Sequence, residues 1–192
     1  MFLKKLIKII RNSICIVGLI LISPFLLLAA CMIAIEDGMP IFFIQQRLGK
    51  NQKIFKIIKI RTLKKGSPQT GTHQLNRKFK LMSGNIIRKI KLDEFPQLIN
   101  VLRGEINLIG PRPGLPNQVE LANARLSKNV FRIKPGITGL GQILGHDMSD
   151  PQKLAEIDKI YIDNRSLKVN LLILIGTFTK YPRAHLKKLI KK

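Results

Sequence analysis

The sequence predicts an α/β fold that is mainly helical. An N-terminal re-entrant membrane helix, broken at Ser23-Pro24, precedes a compact cytoplasmic domain with amphipathic interfacial helices and a few short strands. Three observations carry this expectation. An uncharged apolar run from Ile14 to Ile35 is flanked on both sides by cations. Downstream of it, stretches with helical spacing outnumber short stretches with a period of two. At 192 residues, the chain has room for one further core beyond the run.

The run reads ICIVGLILISPFLLLAACMIAI, and as a straight helix rising 1.5 Å per residue it would reach about 33 Å, enough to cross a bilayer. Pro24 stands near its centre, where a proline removes one backbone hydrogen bond and crowds the preceding turn, so a break is expected there. Lys4, Lys5, Lys8 and Arg11 come before it. Arg47, Lys50, Lys53, Lys56, Lys59, Arg61, Lys64 and Lys65 follow, against only Glu36 and Asp37. A straight span would put one basic flank outside, against the positive-inside bias, whereas a helix that enters and leaves by one face satisfies both flanks. The expected division is a membrane-inserted segment, 1–38, and a cytoplasmic domain, 39–192. A straight span is the competing reading. So is a lipoprotein signal ending at Leu28-Ala29-Ala30-Cys31, although apolar chain continues past Cys31. Val169 to Phe178 is too short to span and precedes a basic tail, which suits an interfacial or core helix.

Lys and Arg outnumber Asp and Glu by 34 to 11, a formal net charge of +23, yet 45% of residues are apolar. That apolar share excludes a disordered polycation. The expected partners are polyanionic: nucleic acid, an anionic membrane surface, or phosphorylated small substrates. Trp is absent and aromatics make up 6%, which argues against single-strand binding by base stacking. Cys15 and Cys31 both lie in the apolar run, so no disulfide framework follows. His73, His146 and His185 stand far apart, without zinc-ligand spacing.

Along the remainder, Ile41–Ile44 reads as a strand and 45–50 as a turn. The stretch from Phe55 to Arg61 alternates so that Phe55, Ile57, Lys59 and Arg61 share one face. Its two cations suit either a solvated edge or a phosphate contact. Gly66–Asn76 is a polar loop. Helical spacing marks 86–90, 95–102, 120–130 and 154–162, with a strand at 106–109.

Three motifs carry chemistry. In Leu92-Asp93-Glu94-Phe95-Pro96-Gln97, Pro96 belongs in a helix's first turn, so a helix starts close to Asp93, with Phe95, Leu98, Ile99 and Leu102 as its buried stripe. Two adjacent carboxylates then sit where free N–H groups favour anions. Ordinary capping explains them. So does a site for phosphates and a divalent cation, since a chain poor in acids places two together just after Arg88, Lys89 and Lys91. Gly110-Pro111-Arg112-Pro113 fixes an arginine between prolines, suited either to a plain rigid turn or to a diphosphate. Pro135-Gly136-Ile137-Thr138-Gly139-Leu140-Gly141-Gln142 is a Gly-rich turn that could admit a phosphate, although its glycines miss the dinucleotide spacing.

Taken in order, the re-entrant-type N-terminus, Lys59-x-Arg61, Leu92-Asp93-Glu94-x-Pro96-Gln97-x-x-Asn100-Val101-x-x-Gly104, Gly110-Pro111-Arg112-Pro113 and Pro135-Gly136-Ile137-Thr138-Gly139 resemble the bacterial sugar transferase family of monotopic phosphoglycosyl transferases. The resemblance spans almost the whole chain. It implies that Asp93 and Glu94 are catalytic, Asp93 as the nucleophile and Glu94 as a ligand of Mg²⁺. It further implies that Lys59, Arg61 and Arg88 serve the phosphates, and that Pro111, Arg112 and Gln142 contact substrate. The implied activity transfers a phosphosugar from a UDP-sugar to undecaprenyl phosphate through an aspartyl-phosphosugar intermediate. UMP is released, and a lipid-linked glycan for O-antigen, exopolysaccharide or lipopolysaccharide begins at the cytoplasmic face of the bacterial inner membrane. The implied partners are the UDP-sugar, undecaprenyl phosphate and the lipid bilayer, with no nucleic acid. Asp158 and Tyr161 fall in the family's late D-x-x-Y helix. The chain departs from the pattern at Gly145-His146-Asp147, where Gly-Arg-Asn is usual, and at Asn170, where an acid is common. The run Gly110-Pro111-Arg112-Pro113-Gly114-Leu115-Pro116-Asn117-Gln118 followed by Gly145-His146-Asp147-Met148 suggests a branch of the family with an N-acetylated hexosamine donor. A membrane-anchored basic nucleic-acid-binding protein and an inactive scaffold of the family are the competing classes.

Overall fold

The computed structural model describes residues 2–68 and 77–190; most of the expected polar loop Gly66–Asn76, with His73, lies outside them. Helix α1 (Phe2–Asp37) is followed by strands β1 (Phe42–Leu48) and β2 (Ile54–Ile60), and then by helices α2 (Met82–Lys89) and α3 (Gln97–Leu102). Strand β3 (Asn107–Ile109), helix α4 (Val119–Ser127), strand β4 (Gly136–Thr138) and helices α5 (Leu140–Leu144), α6 (Pro151–Asp163), α7 (Leu167–Phe178) and α8 (Arg183–Ile190) complete the chain. The fold is mainly helical, with two two-stranded sheets among the described residues. The chain forms two compact units, one of residues 1–45 and 57–103, the other of residues 46–56 and 104–192. Helix α1 belongs to the first unit. The β1–β2 hairpin, closed by the Gly49 N–H donating to Lys53 O at 2.8 Å, has its base in the first unit and its tip in the second.

In the first unit the expected break at Ser23-Pro24 is absent, and α1 continues through Pro24. Proline cannot donate to the carbonyl four residues before it, which here is that of Ile20. The Ser23 hydroxyl donates to that oxygen at 2.7 Å instead, so the freed acceptor is served within the helix. One face of α1 is packed: Cys15, Ala29 and Ile33 are buried, and Gly18 lies against Leu98. The other face, including Ile14, Val17, Leu21, Phe25 and Leu28, is apolar and exposed. Between Lys5 and Asp37, where its most apolar 18-residue stretch has mean hydropathy 2.8, α1 is long and apolar enough to cross a membrane. Ala29 and Ile33 join Ile41, Ile60, Leu81, Ile87 and Leu92 in one core.

Helix α3 starts later than the spacing predicts. Leu92–Glu94 forms a 3₁₀ turn, with Phe95 N–H bonded to Leu92 O at 3.3 Å, because Pro96 has no N–H to reach back to Leu92 as an α-helix would require. The buried face is rotated accordingly. Gln97, Leu98, Asn100 and Val101 are buried, whereas Phe95, Ile99 and Leu102 are only partly so.

The second unit is a βαβ arrangement with helices around it. Strands β3 and β4 pair in parallel, Asn107 with Gly136 and Ile109 with Thr138, and α4 lies within the crossover that parallel pairing requires. Its core unites Leu140, Ile143, Ile157, Tyr161, Val169, Ile173 and Leu186. Asp150 caps α6, accepting from Lys153 N–H at 3.0 Å, and Ser166 caps α7 through Val169 N–H.

Candidate active site

Each group of site residues is positioned within its own unit. In the first, the chain leaves α2 through Lys91, which adopts a left-handed conformation (φ 58°). That turn delivers Asp93 and Glu94, both half-buried, in the 3₁₀ turn. Glu94 Oε1 accepts from Lys59 Nζ at 2.8 Å, with the side chains 19% and 13% exposed. Lys59 therefore pairs with the acidic motif and is not a solvated edge. Behind the pair, Asn100 Oδ1 accepts from the Ile58 backbone N–H at 3.1 Å, which ties α3 to β2 next to Lys59.

Arg61, expected beside Lys59 as a phosphate contact, has a different place. The burial alternation of β2 slips after Ile57, leaving Ile60 and Arg61 both buried. The Arg61 guanidinium donates to Asp37 Oδ2 and to the Pro40, Gly38 and Leu63 carbonyls, so it holds the end of α1. Glu36 does the matching work for α2, whose N-cap, Leu81, has no capping side chain. The Glu36 carboxylate accepts from Met82 N–H at 2.6 Å, Ser83 N–H at 3.0 Å and Ser83 Oγ at 2.6 Å. Both contacts escape sequence reading because the partners lie 24 and 47 residues apart; the scarcity of acids was the available signal. Arg88, in the last turn of α2, donates its Nε to Thr62 Oγ1 at 2.6 Å.

In the second unit, Arg112 sits half-buried in a loop whose backbone is held on three sides. Pro111 O accepts from Gly136 N–H at 2.9 Å, Pro113 O from Arg47 Nη1 at 3.1 Å, and Gly114 O from Leu48 N–H at 3.0 Å. The Gly-rich stretch is therefore not an open phosphate cradle at Gly136, whose N–H is spent on Pro111. A Cβ there would stand 2.1 Å from Gly110 N, so this glycine serves the close approach of β4 to the Arg112 loop. Gln142 donates its Nε2 to Ile137 O at 3.2 Å, while its Oε1 is buried without a hydrogen-bond partner. Asp158 on α6 forms a buried ion pair with Arg125 on α4, Oδ2 to Nε at 2.9 Å and to Nη2 at 2.7 Å, each side chain 3% exposed. Burial pushes the Asp158 carboxyl above the usual range, and Arg125 pulls against that.

No described cluster of three His, Cys, Asp or Glu forms a metal cage. Mg²⁺ is commonly held by one or two carboxylates plus substrate phosphates and water, and the partly exposed Glu94 beside Asp93 fits that donor set.

The bacterial sugar transferase family matches the chain over residues 1–184. The chain belongs to this family. The sugar transferase is 34% identical over 186 residues to the exopolysaccharide production protein ExoY of Sinorhizobium fredii, covering 85% of this chain and 80% of that one. It is also 34% identical over 169 residues to the UDP-N-acetylgalactosamine-undecaprenyl-phosphate N-acetylgalactosaminephosphotransferase of Aeromonas hydrophila, covering 84% of this chain and 40% of the other. A third relative, the UDP-glucose:undecaprenyl-phosphate glucose-1-phosphate transferase of Caulobacter vibrioides, is 34% identical over 168 residues, covering 82% and 62%. The sugar transferase is thus an enzyme of the phosphoglycosyl transferase type. Its departures from the family pattern have local partners. Asn170 Oδ1 accepts from the Tyr161 hydroxyl at 2.9 Å, a contact that a carboxylate at 170 would also accept. Gly145, at φ 84°, ends α5, and Asp147 Oδ1 accepts from Ser149 N–H at 2.9 Å, so 145–149 is a turn.

Proposed function

We propose that this transferase moves a phosphosugar from a UDP-sugar to undecaprenyl phosphate through a covalent intermediate on Asp93. The observation that carries the reading is the adjacent Asp93 and Glu94 on one tight turn, with Lys59 against Glu94. An Asp93 carboxylate oxygen attacks the sugar-bearing phosphorus, the bond from that phosphorus to the bridging oxygen breaks, and UMP leaves with that oxygen. An oxygen of undecaprenyl phosphate then attacks the same phosphorus, the Asp93–phosphorus linkage breaks, and the carboxylate is restored with a lipid diphosphosugar as product. Splitting one transfer into two is the usual gain from covalent catalysis. Repulsion between carboxylate and diphosphate opposes the first step, and the cationic Lys59 and Arg88 of the same unit counter it. Glu94 is the carboxylate that would hold Mg²⁺; the bound ion neutralises diphosphate charge. The names of the Aeromonas and Caulobacter relatives support the acceptor and the donor class. Similarity to the Aeromonas relative, whose name gives UDP-N-acetylgalactosamine as its donor, supports an N-acetylated hexosamine as the sugar.

In nanodiscs with undecaprenyl phosphate and Mg²⁺, a panel of UDP-sugars should give UMP release that EDTA abolishes. UDP-N-acetylhexosamines should be turned over at least about tenfold better than UDP-glucose. No release with any donor would end the proposal; equal use of UDP-glucose would remove the sugar assignment alone.

At the membrane, α1 enters and leaves by the cytoplasmic face of the bacterial inner membrane as one unbroken helix that a proline kink at Pro24 turns back without interrupting it, with residues 39–192 on that face. Cations on both flanks support this topology. With the native cysteines replaced, Lys5→Cys and Lys50→Cys should both be shielded from an impermeant external thiol reagent in intact cells. Labelling of one of the two means a straight span.

A further inference from the structure

We infer that Thr62 is a positioning residue for Arg88, and the inference rests on the phosphate-handling part proposed for that arginine. Three contacts of one face of α2 converge on residue 62. Leu81 N–H donates to Thr62 O at 3.2 Å. Gly84 lies so close that a Cβ would stand 2.4 Å from the same oxygen. Arg88 Nε donates to Thr62 Oγ1 at 2.6 Å. Positions 81, 84 and 88 are three and four residues apart and so share a side of the helix. The absence of a side chain at Gly84 lets that side reach the Thr62 backbone, and the reach brings the hydroxyl to Arg88.

Thr62 is 4% exposed, and its β-branched side chain is stiff at χ1. The Oγ1 is therefore a fixed point, whereas an arginine alone explores many rotamers. Holding Nε sets the plane of the guanidinium and with it the direction in which the fork presents its donors. Arg61, one residue earlier in the chain, is bound to the Asp37 carboxylate at the end of α1. The hydroxyl on Arg88 holds the guanidinium by its Nε. The two neighbouring residues of β2's exit thus divide the work: Arg61 closes the end of α1, and Thr62 aims a cation toward an anion.

The test uses the full-length protein in nanodiscs, with UMP release followed against UDP-sugar concentration for Thr62→Val, Thr62→Ala, Thr62→Ser, Arg88→Ala and the double variant Thr62→Val with Arg88→Ala. Thermal unfolding of each is measured in parallel. Thr62→Val, close in shape and lacking the hydroxyl, should lose about tenfold in kcat/KM for the donor, the size of one hydrogen bond. Thr62→Ser should stay within about twofold of wild type, since the hydroxyl returns. On the Arg88→Ala background, Thr62→Val should cost nothing further, because a positioning residue has nothing left to position. Wild-type activity in Thr62→Val beside a crippled Arg88→Ala overturns the inference alone. An undiminished loss in the double variant, or failure of both Thr62→Val and Thr62→Ala to fold, also overturns it, in favour of a purely structural hydroxyl. Full activity in Arg88→Ala instead brings down the part proposed for the arginine, and the inference with it.

Discussion

Asp93→Asn is expected to stop the transfer while leaving the fold intact, with a loss of roughly 10⁴-fold or more in UMP release, the scale seen when a covalent nucleophile is removed. The amide matches the carboxylate in shape but carries no charge and cannot form the phosphosugar ester. Asp93 lies in a short 3₁₀ turn and is only half-buried, so the exchange disturbs little packing and thermal unfolding should move by no more than about 1 kcal/mol. With a donor labelled in its sugar and no lipid acceptor, wild-type protein should retain label after denaturation, and Asp93→Asn should retain none. Release of UMP at a tenth or more of the wild-type rate from Asp93→Asn would exclude a covalent step on this residue.

Asp158→Asn is expected to have the largest effect on stability, about 3–5 kcal/mol, because it leaves the Arg125 guanidinium buried at 3% exposure without its carboxylate. For a chain of this size that lowers the unfolding midpoint by roughly 8–15 °C. Replacing both partners, Arg125→Met with Asp158→Leu, should recover most of the loss, since apolar groups of similar volume incur no charge burial. The two single variants should also differ in pH dependence. In Arg125→Met the buried Asp158 has lost its counter-ion, and burial holds its folded-state pKa above the unfolded value. The native state then binds the proton more strongly, so stability rises as pH falls through the raised pKa toward the ordinary carboxylate range. Asp158→Asn gains nothing from acid, because arginine keeps its proton throughout. Melting curves between neutral and mildly acidic pH decide the matter. Equal stability of Asp158→Asn and wild type would mean that the pair contributes nothing.

How much of the site is legible in the chain depends on how far apart the contacts are. The adjacency of Asp93 and Glu94 is a covalent fact, and the prolines around Arg112 restrict the backbone wherever that loop packs. The helical spacings at 86–90, 120–130 and 154–162 correspond to α2, α4 and α6 within a few residues. Errors arise where a buried polar group had to find a partner. Arg61 is indistinguishable from Lys59 in a period-two strand, yet one residue faces the end of α1 and the other faces Glu94. Gln97 and Asn100 interrupt what reads as an apolar stripe, and Asn100 is buried because it serves the β2 backbone. The continuity of α1 through Pro24 turns on the Ser23 hydroxyl reaching Ile20 O, which depends on a side-chain rotamer and is not written in hydrophobic spacing.

By itself, the amino-acid order determined the long apolar helix with its cationic flanks, the mainly helical class, and the succession of motifs that marks the family. Each depends on neighbours within a few residues, where sterics and periodicity act without the rest of the chain. Only the tertiary structure decided which cation pairs with which acid, why Gly84 and Gly136 lack side chains, and that Thr62 holds Arg88. Those outcomes follow from burial: a polar group taken out of water must be satisfied by whatever packing brings near it, and that partner can lie tens of residues away.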